Sequence, residues 1–191
     1  MLRILIFSIG ILVFFSCSKK DSEKSEMPQK PLIVATTGII ADALINILDT
    51  NVEVLSLMGP GVDPHLYKAT QGDLKRLREA DIIVYNGLHL EGKMIEILER
   101  LKEEKTVFSM EEMLEQSDFI AAEGFSGSYD PHIWFDVSLW SKAIAELGQI
   151  LSDTLENDRE IMARTNTYTQ ILNQLHVSVR DSIASIPKNK R

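Results

Sequence analysis

Past residue 30, short apolar runs alternate with longer stretches in which apolar residues recur every three or four positions. Leu32-Ile33-Val34-Ala35 reads as a buried strand closed by Thr36-Thr37-Gly38. Ile40, Ala43, Leu44, Ile47 and Leu48 then mark a helix, and Val52 to Leu57 a second strand. Met58-Gly59-Pro60-Gly61 is a turn cluster. Thr70 with Asp73 three residues on predicts a capped helix start, with Leu74 and Leu77 on the inner face. Ile82 to Tyr85 is a third strand closed by Asn86-Gly87, and a helix is expected from about Glu91 to Lys102, burying Met94, Ile95, Leu98 and Leu101. Thr106-Val107-Phe108 is a fourth strand. Strands and helices alternating at this spacing predict an α/β fold, a doubly wound parallel sheet of about four strands with right-handed crossovers.

After an irregular stretch from Ser117 to Tyr129, Asp136 is placed to cap a helix whose inner stripe is Val137, Trp140, Ile144, Leu147 and Leu151. From Asp158 to Ser185 there is neither Gly nor Pro, and Ile161, Thr165, Tyr168, Leu172, Leu175, Val179 and Ile183 recur at helical spacing. A continuous helix here would be about 40 Å long at ~1.5 Å per residue. Its stripe needs a surface to lie against.

The first residues follow another pattern. Arg3 precedes an almost unbroken apolar run, Ile4 to Phe15, which is too short for a membrane span of ~20 residues and fits a secretory signal. The run ends at Ser16-Cys17-Ser18, and Cys17 is the only cysteine, so no intramolecular disulfide can form. A small residue and then Cys after such a run resembles a bacterial lipoprotein signal, which implies lipidation of Cys17; the bulk of Phe14 and Phe15 departs from that pattern, and a plain secretory signal is the alternative. The expected division is a signal peptide over 1–16 and a lipidated, flexible tether over 17–31. A folded region over 32–157, a long helix over 158–186 and a tail over 187–191 follow. The composition, 45% apolar and 25% charged, is that of a globular protein, and a net charge of −8 argues against nucleic acid.

Candidate chemistry centres on a tripeptide used twice. Asp63-Pro64-His65 and Asp130-Pro131-His132 hold two of the four histidines, each followed two residues on by an aromatic, Tyr67 or Trp134. Imidazole is the commonest protein ligand for transition metals, and a preceding proline stiffens the backbone that aims it. His65 falls in the loop after the second strand, on the carboxyl edge where ligands bind in such sheets. Asp63 and Asp130 either accept the N–H of the neighbouring ring, as partners of ligating histidines do, or are simple turn formers. His89 lies on the same edge and could line the pocket or be a surface residue, whereas His176 falls inside the long helix. Asp136 is either a ligand or a cap. Thr36, Thr37 and Gly38 offer an anion site at a helix start. No nucleophile elbow, Walker loop or His-Glu-x-x-His is present.

Four segments in order, Ala35-Thr36-Thr37-Gly38, Met58 to Tyr67, Asn86 to Glu91 and Asp130 to Asp136, closely resemble the zinc- and manganese-type solute-binding lipoproteins of bacterial ABC transporters, the TroA-like family. The resemblance covers nearly everything from residue 32 onward. It implies two Rossmann-like lobes joined by one long rigid helix, with the ion held between them. In the family two histidines come from the N-terminal lobe, matching His65 and His132, while a His or Glu and an Asp come from the second lobe. This chain ends with the long helix, so the expectation is an N-terminal lobe plus linking helix, a fragment or truncated product holding half of a four-ligand site.

The implied role is extracytoplasmic capture of Zn²⁺ or Mn²⁺ by a monomer tethered to the cell envelope, and delivery to the transmembrane subunit of an ABC permease. Imidazole ligands favour zinc. The stretch from Lys102 to Tyr129 has acids but none of the histidines of many zinc-specific members, which leans towards a broad-range or manganese-type receptor. Two further readings are a zinc-dependent hydrolase, for which no general base is evident, and a surface adhesin or scaffold without a metal role.

Overall fold

The computed structural model describes residues 30–122 and 127–190. The signal peptide read over 1–16, Cys17 and the tether up to residue 29 lie outside the described residues. Four short strands, β1 (Leu32–Ala35), β2 (Glu53–Ser56), β3 (Ile82–Tyr85) and β4 (Thr106–Ser109), form one parallel sheet in the order β2-β1-β3-β4. Side chains alternate across it. Ile33, Ala35, Ile82 and Val84 face one core, while Val34, Ile83 and Tyr85 face the other.

Helices α1 (Gly38–Ile47), α4 (Val137–Thr154) and α5 (Asp158–Ser185) supply the first core, and α2 (Gln71–Glu79) and α3 (Ile95–Leu101) the second. The sheet is thus covered on both faces, which is why its central strands are continuously apolar. The chain runs outward from β1 to β2, then returns to place β3 on the other side of β1. That reversal opens a crevice beyond the carboxyl ends of β1 and β3.

Two expectations change. The helix expected from Glu91 starts late: Gly92 to Met94 form a 3₁₀ turn, and α-helix begins at Ile95. Gly92 has φ +41°, and Gly87, Leu88 and His89 are also left-handed, so right-handed helix cannot extend back through them. The long helix is continuous over 28 residues, but its stripe is only half covered. Ile161, Thr165 and Leu172 are buried against α4 and α1, whereas Leu175, Val179 and Ile183 are exposed among the described residues. The cause is length: α4 has 18 residues and cannot accompany α5 to its end.

Where α4 and α5 cross, the backbones approach closely. A Cβ on Gly148 would lie 2.3 Å from the Thr165 hydroxyl oxygen and 2.5 Å from its methyl carbon. On α2, Thr70 and Asp73 form the expected capping box. The Asp73 carboxylate, 3% exposed, accepts from the Thr70 N–H at 2.8 Å, the Thr70 hydroxyl at 2.7 Å and the Tyr67 hydroxyl at 2.7 Å. Burial alone would raise this carboxyl; those donors and Arg76 outweigh it and hold it below the ordinary carboxylate range.

Gly148→Ala should destabilise by about 1–2 kcal/mol in urea unfolding, because overpacking between two fixed helices outweighs the ~1 kcal/mol helix-propensity gain of alanine. Adding Thr165→Ala should recover most of that loss. Asp73→Asn should cost about 2 kcal/mol at neutral pH. Because the folded-state carboxyl is lowered, its contribution is present above the unfolded value of about 3.9 and fades as pH falls through the folded value. The gap in melting temperature between wild type and Asp73→Asn should therefore narrow in acid.

Candidate metal centre

Both Asp-Pro-His turns fold the same way, for a local reason. Asp63 Oδ1 accepts the His65 N–H at 2.9 Å, and Asp130 Oδ1 accepts the His132 N–H at 3.0 Å. Each aspartate caps its own turn two residues on, and proline fixes the backbone between. The two then differ. Asp130 also meets the His132 ring, Oδ1 to Nδ1 at 2.6 Å, whereas Asp63 bonds only the backbone of His65. Hydrogen bonds from the backbone and then the ring of His132 hold the Asp130 carboxyl below the usual carboxylate range.

The aromatics do separate jobs. Tyr67 donates to Asp73 and so ties the His65 loop to the start of α2; burial first, then that bond, pushes its phenol up to about 12. Trp134 sits edge-on to the His132 ring at 5.3 Å between centroids. The two loops converge. His65 Nε2 lies 3.2 Å from His132 Nε2, with ring centroids 5.2 Å apart. His65 is exposed and His132 half-buried; Leu66 follows His65 in sequence and Phe135 lies with its ring 6.0 Å from that of His132, and these two apolar side chains are 74% and 76% exposed.

With Nδ1 of His132 committed to a carboxylate, its Nε2 carries the lone pair. Two imidazole nitrogens bound to one zinc at 2.0–2.1 Å with tetrahedral angles would stand about 3.3–3.4 Å apart. The observed spacing fits a shared divalent ion. Among the described residues no group of three or more His, Cys, Asp or Glu is arranged to hold a metal.

Other candidates fall elsewhere. His89 is exposed, with φ +62°, and lines a separate depression with Tyr85, Glu99, Glu111 and Tyr129 rather than joining the pair. Asp136 caps α4, accepting from the Ser138 and Leu139 N–H groups at 3.0 and 3.2 Å. Its carboxyl is held low, chiefly by the Ser138 hydroxyl. His176 lies beside Asp136 in a groove along α5. Of the residues read as an anion site, Thr36 turns its hydroxyl inward and donates to Glu91 Oε1 at 2.7 Å.

Glu91 and Asn86, both fully buried, were not singled out by their sequence pattern. Glu91 Oε1 also accepts the Asn86 N–H at 2.6 Å, and Oε2 the Gly87 N–H at 3.2 Å. Asn86 Nδ2 donates to the carbonyl of Pro131, the residue before His132, at 2.9 Å. The available signal was a strand ending in Asn-Gly at the switch point with an acid shortly after it.

Comparison with known proteins identifies the family. The family described as ZnuA, zinc-uptake complex component A periplasmic, matches residues 33–191. The zinc-binding protein TroA of Treponema pallidum is 40% identical over 187 residues, covering 97% of this chain and 60% of its own length. The manganese-binding lipoprotein MntA of Bacillus subtilis is 41% identical over 172 residues, covering 90% of this chain and 56% of its own. The solved structure of periplasmic zinc-binding TroA from Treponema pallidum superposes with a TM-score of 0.78 at 44% identity, over 83% of this chain and 57% of that one. The chain thus spans about 60% of the length of the curated relatives it matches. A family match that takes in the whole sheet from Ile33, its five helices and both histidines shows that this chain belongs to the ZnuA family of periplasmic zinc-uptake components.

Proposed function

We propose that this chain is the metal-gathering lobe of a solute-binding protein that takes Zn²⁺ or Mn²⁺ outside the cytoplasmic membrane and presents it to the transmembrane subunit of an ABC permease. The carrying observation is the 3.2 Å between His65 Nε2 and His132 Nε2. That separation is also that of an N–H···N hydrogen bond between the rings, and once both Nε2 atoms are unprotonated it suits a shared cation. The relatives support the role, one being named for zinc and the other for manganese.

His65 and His132 would be direct ligands, and Asp130 would fix the tautomer of His132. Asp63 would shape the turn without touching the ring. Residues 32–157 would form the metal lobe and 158–186 the helix leading to a second lobe that supplies the remaining ligands, while Cys17 would carry the lipid anchor. The ion is cargo, so the site is proposed to perform no chemistry.

Metal content after dialysis and calorimetric titration of the 191-residue chain test this reading. His65→Ala or His132→Ala should each abolish the tightest zinc binding, and the double variant should bind no more than background. Asp130→Ala should weaken zinc binding about 10–100-fold through the freed ring. Because imidazole must give up a proton to the ion, affinity should fall as the solution is acidified. A double variant that retains the zinc of wild type would overturn the assignment.

A further inference from the structure

The segment Asn86–Gly92 leaves β3 at the switch point in an expensive conformation. Gly87, Leu88 and His89 have φ +82°, +50° and +62° in succession, and Gly92 follows at +41°. Non-glycine residues there cost about 1 kcal/mol or more each and persist only when the surroundings dictate them. Carboxylates dictate them here: Glu91 takes the N–H groups of Asn86 and Gly87, and Glu111 Oε2 takes that of Leu88 at 2.7 Å. A fully buried acid is costly as well, and burial pushes the Glu91 carboxyl up against the pull of its four donors.

The segment has two ends, and each meets the backbone beside one histidine. Asn86 holds the Pro131 carbonyl at 2.9 Å, one residue before His132. Gly92 lies under the His65 carbonyl so closely that a Cβ there would come within 2.7 Å of the oxygen. Through the Thr36 hydroxyl, Glu91 also fixes the segment to the end of β1. One buried carboxylate therefore governs a strained strut that spans from one imidazole loop to the other.

We propose that Glu91 is a positioning residue that, through Asn86 and Gly92, sets the gap between His65 and His132 and with it the preference of the pair between small and large divalent cations. This rests on the reading that the two histidines bind metal. A change of a few tenths of an ångström between the nitrogens distinguishes short zinc bonds from the longer bonds of larger ions.

The test compares zinc and manganese dissociation constants, and the visible spectrum of the Co²⁺-loaded chain, in wild type, Glu91→Gln, Thr36→Val and Thr36→Ser. Gly148→Ala is the control for lost stability away from the site. Glu91→Gln should change the zinc-to-manganese affinity ratio by about tenfold and shift the cobalt bands. Thr36→Val, which removes one donor with little change of shape, should move both in the same direction by less, and Thr36→Ser should restore them. Gly148→Ala should leave the ratio and the bands unchanged.

If folded Glu91→Gln or Thr36→Val keeps the wild-type ratio and spectrum, the proposal is wrong while the metal site stands. A ratio that moves equally in Gly148→Ala would also overturn it, since stability alone would then be the cause. Should Glu91→Gln fail to fold, the Thr36 pair decides. Wild type that binds neither metal would instead remove the metal reading on which this one rests.

Discussion

The two imidazole nitrogens stand 3.2 Å apart, within hydrogen-bond distance, and much of the carboxyl edge of the sheet restrains the turns that carry them. Each ring rides on a turn closed by its own aspartate and stiffened by proline. One turn is moored through Tyr67 to the buried carboxylate of Asp73, and the other through the Pro131 carbonyl to buried Asn86. The sheet contributes the fixed reference. Its central strands are sealed on both faces, so the ends of β1 and β3 are rigid points from which loops can be aimed.

This arrangement explains why polar groups are tolerated deep beneath an exposed site. Thr36, Asn86 and Glu91 are all 0% exposed, and each would be a liability alone. Together they exchange hydrogen bonds across the switch point, beyond the carboxyl ends of β1 and β3. The Asn86 side-chain oxygen and the Thr37 hydroxyl are buried without a partner, which marks the crevice as incompletely satisfied. Such residual strain and unmet polarity gather where a protein binds something.

Much of the fold was legible because local signals agreed. The central strands β1 and β3 are apolar runs followed by turn residues, and Thr70–Asp73 and Asp136 cap helices as their types predict. The paired His65 and His132 were legible because the same tripeptide recurs at comparable positions. What could not be read has physical causes. Left-handed geometry at Leu88 and His89 has no sequence signature in residues that normally avoid it, so the late start of α3 was hidden. Glu91 looks like an ordinary helix-start acid until long-range contacts with Thr36 and Asn86 bury it. The periodic stripe of α5 reports what a helix can bury, not what is present to bury it, and so Leu175, Val179 and Ile183 looked like core.

The central claim is that the two Nε2 atoms close on a single ion while Asp130 keeps its hold on the other side of one ring. Nitrogen-15 spectra of the histidine side chains during zinc addition test it directly. Nε2 of His65 and of His132 should move together and saturate at the same zinc concentration, with Nδ1 of His132 remaining protonated throughout and His89 and His176 unaffected. Separate saturation of the two rings, or coordination through Nδ1 of His132, would contradict the account.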